Sequence, residues 1–421
     1  MHRFSYKNGE LFCEDVRVSD IAEKAGTPLY LYSYGTILDH FRKVREAFSP
    51  VRALVCFAMK SNSNLAVCRA LAKAGAGFDV VSGGELKRAL QAGADPRKIV
   101  FASVGKTAAE IELAIRRGIL LFNVESIQEL EQIEAVCRRL RRKQKVSFRM
   151  NPEVDPHTHS FITTGQKASK FGMEMKTVAS TLRHYKRFPH LLFAGIHIHI
   201  GSQILEARPF QTAIRRALAI IQGARRHGVR IEYLNIGGGL GIIYKSEKPQ
   251  TAQQYAKAVL PLLKRSGLKV ILEPGRFIVG SSGILVTRVL YIKESHSKEF
   301  AIVDAGMNDL IRPSLYGAYH EIRTVQGNGA RTRSARYDVV GPVCESGDFF
   351  AKERRLPPLK RGDLVCVFSA GAYGYAMASN YNSQPRPCEV MVAGKEAKVV
   401  TERESMEHLL RNEKIVSFSL T

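Results

Sequence analysis

Between residues 36 and 275, short apolar runs alternate with longer amphipathic stretches. The runs at 53–58, 78–82, 99–103, 120–124, 146–150, 193–200, 231–236 and 269–273 have the length and apolar content of buried parallel strands. A stretch of helical period lies between each consecutive pair, and one more, at 36–48, precedes the first. Eight strands and eight helices over about 240 residues match a TIM (β/α)8 barrel. An open doubly wound sheet competes with it on spacing alone.

After residue 276 the rhythm changes. ILVTRVLYI, EFAIVDA, RYDVVG, DLVCVFS, CEVMVAG and AKVVTE are strand-type runs with turn residues between them. Helical period returns only in the last twenty residues. Residues 1–31 read as a hairpin turning at Lys7-Asn8-Gly9. The expected organisation is an α/β chain: a barrel at 32–275, and a second, β-rich domain assembled from 1–31 and 276–421.

Composition narrows the classes. The 421 residues are 45% hydrophobic and 24% charged, an ordinary globular balance with ample core. No apolar run is long enough for a membrane helix, and MHRFSYKNGELFCEDV has no signal-peptide run, so a cytoplasmic protein is expected. Seven scattered cysteines without a CxxC pair point to a reducing compartment, with no disulfide framework and no structural zinc. The net charge of +24 raises the question of nucleic acid. Yet the basic residues are spread at helical spacing. Their one dense cluster, Arg138, Arg139, Arg141, Arg142 and Lys143, closes an expected helix, where cations complement the dipole. Solvated surface accounts for the charge, and a nucleic-acid partner is not expected.

A barrel enzyme carries its site at the C-terminal ends of the strands, and the polar interruptions fall there. Lys60 follows the first strand and Asp79 lies in the second; Arg149 is near the end of the fifth, His199 ends the sixth and Glu273 ends the eighth. In VRALVCFAMKSNSN, Lys60 either snorkels to solvent or enters a pocket as a Schiff-base lysine. The run Ile236-Gly237-Gly238-Gly239-Leu240-Gly241 is a plain turn or an anion cradle of backbone N–H groups, with Gly201-Ser202 as a second flexible spot carrying a hydroxyl.

His197 and His199 stand two apart, and His157 and His159 repeat that spacing. No carboxylates at matched spacing complete a metal site, which leaves an imidazole packed on a flat ring or a polar core histidine. In Glu273-Pro274-Gly275-Arg276, the carboxylate at the end of a buried strand needs a partner, either a protonated pyridine nitrogen or an arginine. An amine for an aldehyde, an anion cradle, a stacking side chain and a carboxylate for a ring nitrogen are together what pyridoxal 5'-phosphate requires.

FAMKSN, HIHIGSQ, NIGGGLG, EPGR, DAGMNDLIRPSLYGAYH, GPVCESGDFF and GAYGYAMASNYN occur in this order. The chain thereby resembles the diaminopimelate decarboxylases, within the alanine-racemase-like (fold type III) class of pyridoxal-phosphate enzymes. The first four motifs are shared with ornithine and arginine decarboxylases; the last three point to diaminopimelate. The resemblance implies that Lys60 holds the cofactor covalently and that His199 stacks on its ring. It implies that Glu273 pairs with the ring nitrogen and that Asp79, Ser202, Gly238, Gly239, Gly275, Arg276 and Tyr373 complete the cofactor site. Arg276 and Tyr373 would also face substrate. Arg312 and Tyr316 would hold the distal carboxylate, Glu345 the distal ammonium, and Cys344 would return a proton to Cα. Ser61 departs from the alanine more usual in the family.

The activity so implied is decarboxylation of meso-2,6-diaminopimelate to L-lysine by a homodimer with shared active sites. Three alternatives are a decarboxylase of ornithine, arginine or lysine, a non-catalytic pyridoxal-phosphate carrier, and a nucleic-acid binder. An arginine and a glutamate of the right signs for a second amino-acid head favour diaminopimelate.

Overall fold

The computed structural model describes residues 2–155, 170–296, 298–327 and 334–418. His157 and His159 lie outside the described residues. The chain divides into two units, residues 36–281 and residues 1–35 with 282–421.

The first unit is a closed barrel of eight parallel strands, Ala53–Ala58, Gly77–Val80, Ile99–Phe101, Leu121–Val124, Gln144–Arg149, Leu191–His197, Tyr233–Asn235 and Lys269–Leu272. Neighbours in sequence are neighbours in space, and Lys269–Leu272 closes on Ala53–Ala58. The open doubly wound sheet is therefore excluded. Cys56, Val100, Leu121, Ala194, Tyr233 and Ile271, from six of the strands, form one cluster of its filled interior. After the first four strands the helices begin soon, and short polar side chains start them. Asn64, Ser82, Thr107 and Ser126 each accept a first-turn backbone N–H, and Thr107 and Glu110 form a full capping box. These caps set the short connections after the first four strands.

Several strands end earlier than expected, and for two of them this moves a site residue off the strand. The sixth strand stops at His197 and the eighth at Leu272, so His199 and Glu273 follow their strands. Leaving the ladder frees His199 to turn its ring to the backbone of the glycine run, where its Nδ1 accepts the Gly238 N–H.

The second unit contains a nine-stranded sheet and a three-stranded one. Leu29–Ser33 is one of its central strands, antiparallel to Gly283–Ser295 and parallel to Cys388–Ala393. That pairing carries this unit to residue 35, past the expected boundary at 31, and the barrel unit runs to 281 rather than 275. Leu29, Leu31, Ile284, Val286, Cys366 and Val390 lie in its core. Glu10–Cys13 pairs with Phe4–Lys7 as the hairpin reading expects. A helix, Val18–Ala25, then intervenes.

No helix among the described residues is long and apolar enough to cross a membrane. All seven cysteines are free. The cluster from Arg138 to Lys143 ends the helix Ile127–Leu140, with Arg141 as its left-handed cap, and its five cations are exposed.

Candidate active site

The expected site residues divide between the two units. Lys60, Asp79, His199, Ser202, Gly238, Gly239, Glu273, Gly275 and Arg276 belong to the barrel unit; Arg312, Tyr316, Cys344, Glu345 and Tyr373 belong to the other.

Lys60 sits in a single turn of 3-10 helix, Met59–Ser61, directly after the first barrel strand. Its ammonium neither snorkels alone nor lies stranded in apolar surroundings. Nζ is 3.0 Å from Oδ2 of Asp79, a carboxylate with no exposed surface, while the Lys60 side chain keeps 37% of its own. Burial, then the neighbouring Glu273, push the Asp79 carboxyl up, and Lys60 opposes them. Ser61, the departure from the family pattern, is accommodated: its buried hydroxyl donates to the Ala58 carbonyl at 2.7 Å. A Cβ on Gly275 would stand 2.9 Å from that hydroxyl, so the turn and the Gly275 backbone fit only without a side chain there.

Glu273 is also buried, yet its surroundings favour the anion. Asn123 Nδ2 and Asn235 Nδ2 donate to Oε1 at 3.0 and 2.5 Å, and His197 Nε2 lies 3.1 Å from Oε2. Burial alone would raise this carboxyl, but His197, Lys60 and Asn235 outweigh it and hold it well below the usual range. Of the two buried carboxylates, Asp79 is thus the readier to keep a proton and Glu273 the one that keeps its charge. A carboxylate whose surroundings favour the anion is what a protonated pyridine nitrogen needs.

An anion cradle forms where the glycine run passes the Gly201-Ser202 turn. Arg276 Nε and Nη2 donate to Ser202 Oγ at 3.1 and 3.0 Å, and Nη1 donates to the Tyr244 hydroxyl at 2.6 Å. A Cβ on Gly238 would stand 2.2 Å from the Glu273 carbonyl oxygen, and one on Gly239, at φ +114°, 2.6 Å from that of Gly201. Backbone and cationic side chain therefore line this end without bulk. Because Gly238 N–H donates to His199 Nδ1, the His199 proton is assigned to Nε2. Burial first, then the charges of Lys60 and Arg149, push this imidazole well below its usual range. A neutral ring suits a stacking side chain. These groups fit pyridoxal phosphate at its aldehyde, ring and phosphate ends.

In the second unit, Arg312 is buried at the start of the helix Arg312–Tyr316, whereas Cys344 and Glu345 are exposed. The two segments are fastened together. Ser314 Oγ donates to the Gly347 carbonyl, and Asp348 accepts the N–H groups of Met307 and Val343 at 2.7 Å each. Asn382 Oδ1 accepts the Cys344 N–H at 2.7 Å. Tyr373 has φ +57°, a left-handed conformation that a bulky residue adopts only where its surroundings enforce it.

Asn123, Asn235 and Tyr244 were not among the expected site residues. Asn123 and Asn235 are polar side chains within barrel strands, a signal of the same kind as Asp79, and Asn235 directly precedes the glycine run.

A closed (β/α)8 barrel with an amine, an anionic carboxylate and an anion cradle on its carboxyl rim defines a pyridoxal-phosphate enzyme. Comparison with known proteins agrees. The pyridoxal-binding domain of the pyridoxal-dependent decarboxylases matches residues 34–280. The diaminopimelate decarboxylase of Pseudomonas aeruginosa is 46% identical over 99% of this chain and all of its own length. The structure of Helicobacter pylori diaminopimelate decarboxylase complexed with L-lysine superposes with a TM-score of 0.90 at 41% identity, covering 93% of this chain and 98% of that one. The M. jannaschii enzyme in co-complex with L-lysine gives 0.92 at 36% identity, covering 98% of both chains. The chain belongs to the pyridoxal-dependent decarboxylase family.

Proposed function

We propose that the chain decarboxylates meso-2,6-diaminopimelate to L-lysine and CO2, the last step of lysine biosynthesis. One observation carries the choice of substrate: a buried arginine, Arg312, and a carboxylate, Glu345, occupy segments fastened by the Ser314–Gly347 bond. Diaminopimelate has a second amino-acid head, whose carboxylate and ammonium call for a cation and an anion. Ornithine, arginine and lysine lack that distal carboxylate.

In this reading, Lys60 would hold pyridoxal phosphate through its Nζ, which Asp79 keeps in place. His199 would pack on the ring, Glu273 would pair with the ring nitrogen, and Ser202, Gly238, Gly239, Arg276 and Tyr373 would receive the phosphate. The cofactor supplies an electron sink for the pair left on Cα when the bond to the carboxylate breaks and CO2 departs. Arg312 and Tyr316 grip the distal carboxylate and Glu345 the distal ammonium, so the other head is presented to Lys60. Cys344 Sγ then gives its proton to Cα and regains one from solvent.

The working form is a homodimer in which Cys344 and Glu345 of one subunit serve the cofactor on Lys60 of the other. Its place is the cytoplasm, a setting that seven free cysteines suit. The test of the reaction is CO2 release from meso-diaminopimelate, ornithine, arginine and lysine in parallel. Release from diaminopimelate, with lysine as co-product, supports the reading; release from another substrate alone removes it.

A further inference from the structure

We infer that Asn235 is a positioning residue that locks the ring-nitrogen carboxylate and the phosphate cradle into one rigid piece. The inference rests on the reading that Glu273 faces the ring nitrogen.

Asn235 closes the seventh barrel strand and is 1% exposed. Both ends of its amide are engaged. Nδ2 donates to Glu273 Oε1 at 2.5 Å, and Oδ1 accepts the N–H of Gly237, the first glycine of the run, at 2.9 Å. A third bond completes the circuit, because Glu273 N–H donates to the Gly237 carbonyl at 2.8 Å. Side chain to side chain, side chain to backbone and backbone to backbone, Asn235, Gly237 and Glu273 form a closed triangle.

The arrangement fixes several things at once. Gly237 has φ +66°, a turn held by the Asn235 oxygen, and its successor Gly238 passes so close to the Glu273 carbonyl that no Cβ fits. Gly238 N–H in turn orients His199. With its oxygen committed to Gly237, the Asn235 amide can present only its N–H2 to Glu273, so it always favours the charged carboxylate. Asn123 donates to the same Glu273 oxygen, but nothing on its side chain reaches the glycine run. Asn235 bonds through its side chain to both Glu273 and the glycine run.

Two substitutions separate its bonds. Asn235→Ala removes both. Asn235→Asp keeps the acceptor for Gly237, removes the donor, and sets two carboxylates side by side, one of which must hold a proton. The readouts are the dissociation constants of the apoenzyme for pyridoxal phosphate and for pyridoxal, and the pH titration of the holoenzyme's visible absorbance.

Asn235→Ala is expected to weaken pyridoxal phosphate by about ten- to a hundredfold and to lower the preference for it over pyridoxal. Asn235→Asp is expected to weaken both ligands alike, preserving that preference, and to shift the absorbance titration. A merely structural role would move neither the preference nor the titration. Glu273→Gln is the control for the underlying reading. If it leaves affinity and titration at wild-type values, Glu273 does not face the ring and the inference falls with it. If Glu273→Gln moves them while both Asn235 variants stay within about twofold of wild type, the Asn235 role alone is overturned.

Discussion

Nζ of Lys60 and Oδ2 of Asp79 stand 3.0 Å apart, a strand-end ammonium held by a carboxylate that has no contact with solvent. The pair aims the amine. Lys60→Ala is expected to abolish turnover and the visible absorbance of bound cofactor, and borohydride is expected to fix the cofactor to Lys60 in the wild type. Peptide mapping of the reduced protein checks this; a label on another lysine contradicts it.

The barrel was readable because its strands are apolar on both sides and its helices amphipathic, two periods that differ in kind. Ala53–Ala58 has the bounds that pattern gives. Elsewhere the pattern was silent for identifiable reasons. Phe349–Leu356 reads FFAKERRL, with four consecutive charged residues and Glu353 at φ +49°; it is an edge strand whose register shifts, so alternation is lost. Val18–Ala25 lacks a side-chain cap at Arg17, which left its start unmarked. Lys60, His199 and Glu273 could be picked out as polar residues at or just past strand ends, whereas the role of Arg276 was legible only through the family motif. The hydrogen bond from Asn123 to Glu273 spans 150 positions in sequence, and nothing local to either residue announces it.

Lys106 carries a second buried ion pair. Its side chain has no exposed surface, and Nζ donates to Glu129 at 2.6 Å and to the carbonyls of Ser103 and Asn123 at 2.8 Å. Burial pushes the lysine down and the glutamate up, each toward neutrality, and their mutual attraction offsets it. Lys106→Met leaves Glu129 buried without its counter-charge and is expected to cost about 3–5 kcal/mol in chemical denaturation. The double change Lys106→Met with Glu129→Leu is expected to cost less than Lys106→Met alone. Since Lys106 also holds the backbone of Asn123, the single variant is expected to bind cofactor more weakly.

Asp309 gives the second unit a pH-dependent weakness. It is 2% exposed; burial first, then Asp304 and Asp348, raise its carboxyl to about 7, although Gly306 N–H donates to it. A raised acid binds more protons folded than unfolded, so its contribution is intact below the unfolded value and is lost as pH rises through about 7. Asn at this position does not titrate. The stability of Asp309→Asn relative to wild type is therefore expected to improve by about 2–3 kcal/mol between pH 5 and pH 8, read from denaturation curves. A difference that stays flat contradicts the assignment.

The proposed sharing of active sites between subunits makes a distinct prediction. Lys60→Ala and Cys344→Ala homodimers are each expected to be inactive or nearly so. After subunit exchange, activity is expected to return, because one site of each mixed dimer joins an intact Lys60 to an intact Cys344. Exchange without recovery shows that each site belongs to a single chain.

The central claim is that Arg312 reads a distal carboxylate, so that the enzyme decarboxylates diaminopimelate and spares its own product. The most direct measurement is kcat/KM for meso-diaminopimelate and for lysine, in the wild type and in Arg312→Ala. Lysine placed with its own carboxylate at the reacting position has no distal carboxylate for Arg312 to hold. The wild type is expected to turn over diaminopimelate and to leave lysine essentially untouched. Arg312→Ala is expected to lose about 2–5 kcal/mol on diaminopimelate, mainly through KM, and nothing on lysine. Equal losses on both substrates, or a wild type that consumes lysine as readily as diaminopimelate, would contradict the account.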